Sequence, residues 1–281
     1  MALNFKTLLT RTLTAAVFVA VLLSCINYNY LSFSILFLIV SVWGLIEFYQ
    51  IAEKLGAKPS RWGGIATAVI FYTSIFCKNI GFNFPYYVYS VPAFLFLIFV
   101  VELFSNKTNP ILNMSYTIAG LIYVVLPFVL LNEISCMVLD PLRSSGPHYN
   151  PHIILGIILL IWANDTFAYL VGSMIGKNKL YERISPGKTR EGTIGGGLLT
   201  VACTYIISMW YPELQFYQWA GVAIIVVIFG TCGDLVESMM KRQAGIKDSG
   251  SIMPGHGGIL DRFDSLLFVS PFVYAYLSLI A

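Results

Sequence analysis

The 281 residues are 57% hydrophobic and only 11% charged, with a formal net charge of +3 and a mean hydropathy of +0.76. That balance excludes a water-soluble domain of useful size and places the chain among polytopic membrane proteins. No nucleic-acid-binding motif is present, and the modest positive charge suits the anionic surface of a bilayer.

Cutting the chain at polar and turn-rich breaks predicts an all-α fold of about nine transmembrane helices. They fall near residues 7–26, 30–51, 62–77, 86–104, 113–131, 152–175, 192–211, 216–240 and 263–281. With this partition fifteen of the seventeen lysines and arginines share one side, and only Lys78 and Arg143 fall on the other. The bias predicts a cytosolic N-terminus and a C-terminus outside. The basic residues ahead of the first apolar run also suit a signal peptide. Cys25-Ile26-Asn27-Tyr28 is a poor cleavage site, however, so the first helix is expected to be retained. The five cysteines have no CxxC spacing and read as small buried hydrophobes.

Residues 1–150, about five spans, read as membrane scaffold. Glu47 and Glu102 are expected there as partners of nearby lysines or as interface groups. The outer connector carries Asp140, Arg143, His148 and His152. Pro151 separates the two histidines and no acid is close in sequence, so the connector reads as a polar loop.

Chemistry is expected in residues 151–281, with cytosolic loops at 176–191 and 241–262. In the sixth span Asp165 follows Asn164 within IWANDTFAYLVG. Either a helix-packing hydrogen bond or an aspartate facing an internal cavity accounts for it. The loop after it packs five basic residues into positions 177–190. Gly187-Lys188-Thr189 is not a P-loop, since Glu182 stands where that motif needs glycine. Ser185, Thr189, Lys188 and Arg190 still suit phosphates at the start of the seventh helix. Gly195, Gly196 and Gly197 fit close helix packing.

The densest chemistry lies between Asp234 and Asp264. Asp234, Glu237 and Lys241 recur on one helical stripe, and Asp261 and Asp264 stand three apart at the start of the last apolar run. Two helix mouths aiming carboxylates into one space suit magnesium, and the glycines between them allow backbone to approach a ligand. Lys241, Arg242, Lys247 and Arg262 supply positive charge for phosphates. Ionisable groups that run into membrane segments are costly, which favours a functional reading.

The pattern Ser238-x-x-Lys241-Arg242, then Lys247-Asp248, then Pro254-x-His256-Gly257-Gly258-x-x-Asp261-Arg262-x-Asp264 resembles the signature of the phosphatidate cytidylyltransferases. The text around Asp165 and the stretch Ser185 to Gly192 resemble two further elements of that family, with Gly187 in place of a common lysine. The resemblance implies an integral membrane enzyme that makes CDP-diacylglycerol and pyrophosphate from phosphatidate and CTP, its active site on the cytosolic face of the bacterial inner or plasma membrane. Its implied catalytic residues are Asp234, Asp261, Lys241, Arg242, His256 and Asp264. Ser185, Lys188, Thr189, Arg190, Glu191, Asp165, Lys247, Asp248 and Arg262 would contact substrate. Asp234, Asp261 and Asp264 would hold magnesium, with a second cation allowed, and a homodimer is suggested. Two other readings stay open: a secondary transporter built on Asp165, Asp234 and Asp261, and a CTP-dependent lipid kinase, which would release CDP instead of pyrophosphate.

Overall fold

The computed structural model describes residues 5–82, 86–137, 149–252 and 257–280, with side chains from residue 12 in the first helix and from residue 90 in the fourth. Asp140, Arg143, His148 and His256 lie outside the described residues. Continuous helix covers α1 (Phe5–Tyr28), α2 (Tyr30–Lys54), α3 (Arg61–Asn79), α4 (Tyr86–Leu103), α5 (Pro110–Ser135), α6 (Pro151–Ile175), α7 (Arg190–Trp210), α8 (Phe216–Gln243) and α9 (Leu260–Ile280). Six of these, α2 and α5 to α9, are long and apolar enough to cross a membrane, and α1 and α4 contain shorter apolar stretches. The chain is an all-α integral membrane protein.

Local sequence starts these helices. Ser32 N donates to Asn29 Oδ1 at 2.8 Å while Asn29 N donates to Ser32 Oγ at 3.2 Å, a reciprocal capping box ahead of α2. Asn150 caps α6 by accepting from His152 N at 2.9 Å, with Pro151 at the first helical position. A single π turn interrupts α5 at Leu121–Val125 and another interrupts α8 at Val226–Gly230.

The chain forms two compact units, residues 1–133 with 243–263, and residues 134–242 with 264–281. In the first, the rings of Phe37, Phe128 and Phe263 pack with centroids 5.7–6.1 Å apart. A Cβ on Gly64 would stand 2.0 Å from Tyr49 Oη, so glycine lets that ring sit against α3 while its hydroxyl donates to Thr117 O at 3.0 Å. The buried Asn132 amide accepts from Tyr30 Oη at 2.6 Å and donates to Tyr72 Oη at 2.9 Å and Ser34 Oγ at 3.1 Å. It ties α2, α3 and α5 together through satisfied polar groups. Glu102 meets its expectation: Lys107 Nζ lies 3.3 Å away, and Asn113 Nδ2 donates to it at 2.6 Å.

In the second unit α7 returns along α6. A Cβ on Gly196 would meet Ala168 N at 2.5 Å, and one on Gly195 would meet Val171 Cγ1 at 2.6 Å. Gly197 faces Val227 on α8 in the same way. These glycines therefore serve the close packing expected of them, which in a bilayer replaces the hydrophobic drive. Trp219 is fully buried against Gly156 and donates its indole N–H to Tyr211 O at 3.0 Å. His152, read from sequence as lacking an acidic partner, pairs with Glu213 and stacks on Tyr211 with ring centroids 5.1 Å apart. The acid lies sixty-one residues further on, beyond the reach of local spacing.

Residues 176–191 are more than a loop. Strands β1 (Lys179–Tyr181) and β2 (Ser185–Thr189) pair antiparallel, with Lys179 opposite Thr189 and Tyr181 opposite Ser185.

Candidate active site

The hairpin is held at its root by α7. Thr189 is the N-cap, its Oγ1 accepting from Gly192 N at 3.2 Å. Glu191, in the first turn, accepts from Lys177 N at 3.1 Å, Asn178 N at 3.1 Å and Asn178 Nδ2 at 2.6 Å. Arg190 N donates to Asn178 O at 2.9 Å and closes the ring. Thr189 is buried at the cap, and Lys188 beside it is half-buried.

Both residues line a cavity of about 460 Å³. Asn164, Asp165 and Tyr169 line it from α6, Ser185 and Lys188 from β2, and Thr231 and Asp234 from α8. Asp165 is solvent-accessible, while Asn164 beside it is only 5% exposed, and its side-chain oxygen is buried without a hydrogen-bond partner among the described residues. Lys188 Nζ stands 2.5 Å from Asp234 Oδ2, and Ser238 Oγ donates to Asp234 Oδ1 at 3.2 Å. Asp165 interacts electrostatically with both Lys188 and Asp234. Asp264 feels the charges of Asp234, Asp165 and Lys188, and its Oδ1 accepts from Ser265 N at 2.6 Å.

Three carboxylates thus act on one ammonium, a donor set of hard oxygens with surplus negative charge that fits a divalent cation in kind. Among the described residues no three His, Cys, Asp or Glu side chains gather closely enough to hold a metal ion between them. Magnesium commonly uses one or two carboxylates and completes its shell with phosphate oxygens and water.

Other expected residues stand differently. Lys241 is buried, its Nζ 3.1 Å from Glu237 Oε1, and Glu237 is wholly buried. Arg190 and Arg242 are exposed and do not line the cavity. In the first unit Lys247, Asp248 and Arg262 are exposed. Asp261 Oδ2 accepts from Ser249 N at 2.8 Å, Gly258 N at 2.8 Å and Ser249 Oγ at 3.0 Å.

Sequence reasoning missed Glu47. It is 2% exposed and bonded to Ser249, Ile259 and Leu260, rather than to a nearby lysine. The available signal was an acid seven residues inside the end of an apolar helix, a position that demands a partner. Tyr169 and Thr231 were also missed, because nothing in their local sequence separates a cavity wall from a lipid-facing or packing surface.

Fold and cavity define an integral membrane protein whose second unit gathers carboxylates, a lysine and an anion-suited hairpin in one space. The model of the cytidylyltransferase family matches residues 9–280, and the chain belongs to that family. It is similar to the phosphatidate cytidylyltransferase of Staphylococcus aureus (strain COL), with 40% identity over 187 residues, 65% of this chain and 66% of that protein. The phosphatidate cytidylyltransferase of Staphylococcus haemolyticus (strain JCSC1435) shows 40% identity over 184 residues, again 65% and 66% of the two chains. That of Staphylococcus saprophyticus subsp. saprophyticus shows 39% over 184 residues with the same coverage. The match thus spans just under two thirds of these relatives' length.

Proposed function

We propose that the protein transfers the cytidylyl group of CTP to phosphatidate, giving CDP-diacylglycerol and pyrophosphate. The observation that carries this reading is Lys188 of the hairpin meeting Asp234 in a cavity shared with Asp165, in a chain of the cytidylyltransferase family. The names of the relatives supply the substrate class. The same reading takes all nine helical segments as membrane spans, with the N-terminus and the hairpin cytosolic on the fifteen-to-two division of basic residues, in the inner membrane if the source is bacterial. A homodimer belongs to it on resemblance alone.

The attacking group is a phosphate oxygen of phosphatidate. A phosphate monoester has a second pKa of about 6, so it needs no strong protein base. A bond forms from this oxygen to the α-phosphorus of CTP, the bond from that phosphorus to the bridging oxygen breaks, and pyrophosphate leaves with the electron pair. Lys188, Ser185 and Thr189 would bind the triphosphate through charge and hydrogen bonds. Asp234 and Asp264, with Asp165 beside them, would hold magnesium, and Asp261 stays in the ligand set on its sequence position. The ion, when bound, supplies charge neutralisation between two polyanions. His256 would orient a phosphate or a carboxylate.

The test is the product released when purified protein meets CTP and phosphatidate in mixed micelles. Pyrophosphate and CDP-diacylglycerol are expected in equal amounts; CDP with a newly phosphorylated lipid would replace this reading by a kinase, and no turnover with either product would remove it.

A further inference from the structure

We propose that Glu47, on α2, is the positioning residue for Asp261, acting through Ser249 and the first turn of α9; the inference rests on the function proposed above. Glu47 Oε1 accepts from Ile259 N at 2.9 Å, and Oε2 accepts from Leu260 N at 3.0 Å. These amides are among those that a helix beginning at Leu260 leaves without an intrahelical acceptor. A carboxylate there is also favoured by the helix dipole. Glu47 therefore caps a helix whose start is more than two hundred residues away in the chain.

The connection continues to Asp261. Ser249 Oγ lies 2.8 Å from Glu47 Oε2 and 3.0 Å from Asp261 Oδ2, so one hydroxyl joins the two acids. Ser249 is 5% exposed, and Ser249 N and Gly258 N both donate to the same Asp261 oxygen. Fixing a carboxylate through one oxygen sets the direction of the other, the usual work of groups that support a reacting side chain.

The glycines of the connector fit this arrangement. A Cβ on Gly258 would lie 2.3 Å from Glu47 Oε2 and 2.2 Å from Ser249 Oγ, and one on Gly250 would lie 2.4 Å from Glu47 Oε1. Gly257 adopts φ +83°, and its Cβ would lie 2.5 Å from Asp261 Oδ2. Their sequence pattern suggested room for a ligand. In the first unit that room belongs to two carboxylates. A side chain within the connector would suffice to cap α9. An acid buried on a distant helix instead makes the placement of Asp261 depend on α2.

Glu47→Gln keeps the volume but replaces one accepting oxygen with a donor that opposes the amides or the Ser249 hydroxyl. Purified Glu47→Gln should lose about tenfold or more in kcat, with KM for CTP within about twofold of wild type. Hydrogen exchange at residues 258–261 should accelerate, while α5 and the melting midpoint stay as in wild type. Ser249→Ala should lower kcat less, and the double variant should match Glu47→Gln because the two act along one path. Wild-type kcat in Glu47→Gln would overturn the proposal. So would a loss of kcat accompanied by a lowered midpoint and exchange throughout the unit, the pattern of a purely structural role. If Glu47→Gln fails to accumulate, Ser249→Ala decides, and unchanged kcat there overturns it. Wild-type protein that turns over neither substrate would instead remove the functional reading, leaving local exchange at Ile259 and Leu260 to report whether Glu47 holds α9.

Discussion

Lys188 reaches from the hairpin to Asp234 on α8, with 2.5 Å between ammonium and carboxylate, and so joins the strand pair to the carboxylate end of the cavity. Both side chains are partly exposed, so the pair itself adds little stability. Its value lies in where it places charge. Lys188→Ala should lower kcat/KM for CTP about ten- to a hundredfold, corresponding to roughly 1.5–3 kcal/mol for a lost charge-assisted contact. Protein abundance should not change. CTP kinetics equal to wild type would reduce the hairpin's charge to a topological signal.

Asp234→Asn and Asp264→Asn retain shape and polarity but remove charge from the cluster. Each should depress kcat by about a hundredfold or more, with the melting midpoint preserved. The midpoint for magnesium should rise in whichever variant keeps measurable turnover. Full activity with an unshifted magnesium dependence would remove that residue from the reacting centre.

Glu191 makes a different prediction because its oxygens are already engaged by Lys177 N, Asn178 N and Asn178 Nδ2. Glu191→Ala should free the root of the hairpin, raise KM for CTP about tenfold and leave kcat near wild type. Faster amide exchange at Lys177 and Asn178 should accompany the change. A fall in kcat with tight amides would instead assign Glu191 to substrate directly.

Gly196 marks the tightest approach of α7 to the α6 backbone, where an added Cβ would meet Ala168 N at 2.5 Å. Backbone cannot swing aside as a side chain can. Gly196→Val should destabilise the protein by about 1–3 kcal/mol, read as a lower melting midpoint in detergent. Gly187→Val, where nothing lies within 4 Å, serves as the control and should leave the midpoint unchanged.

Much of this was legible in the chain. The helical segments follow from apolar runs bounded by Asn29, Pro110, Pro151 and Thr189, whose capping chemistry is local. The candidate site was legible where polar residues interrupt apolar runs, as at Asp165 and Asp234. The hairpin was not, because Lys179–Tyr181 and Ser185–Thr189 are short, polar and mostly exposed, without the alternation that marks a half-buried strand. Glu47 was misread because its partners lie over two hundred residues on, and sequence spacing carries no information at that range.

The orientation can be tested with an impermeant thiol reagent on intact cells, in a background without native cysteines. Ser249 is a poor reporter, being buried and bonded to Glu47, whereas Ser251 is exposed. Tyr28, the last residue of α1 and 81% exposed, serves for the opposite side. Tyr28→Cys should label from outside and Ser251→Cys only after permeabilisation; the reverse pattern would invert the cytosolic assignment.

The π turn at Val226–Gly230 ends four residues before Asp234. A wider turn accommodates one more residue than the regular spiral, so everything after it is rotated in phase relative to everything before it. The apolar first half of α8 and its charged second half therefore keep separate angular registers along a single rod. Removing one residue from this turn would restore the regular spiral and leave Asp234 on nearly its present side, whereas tightening the turn at its present length would swing Asp234 by about 100° about the axis. In that second case Lys188 would lose its counter-ion although neither residue had been changed, so the width of this turn is constrained as tightly as residue identity.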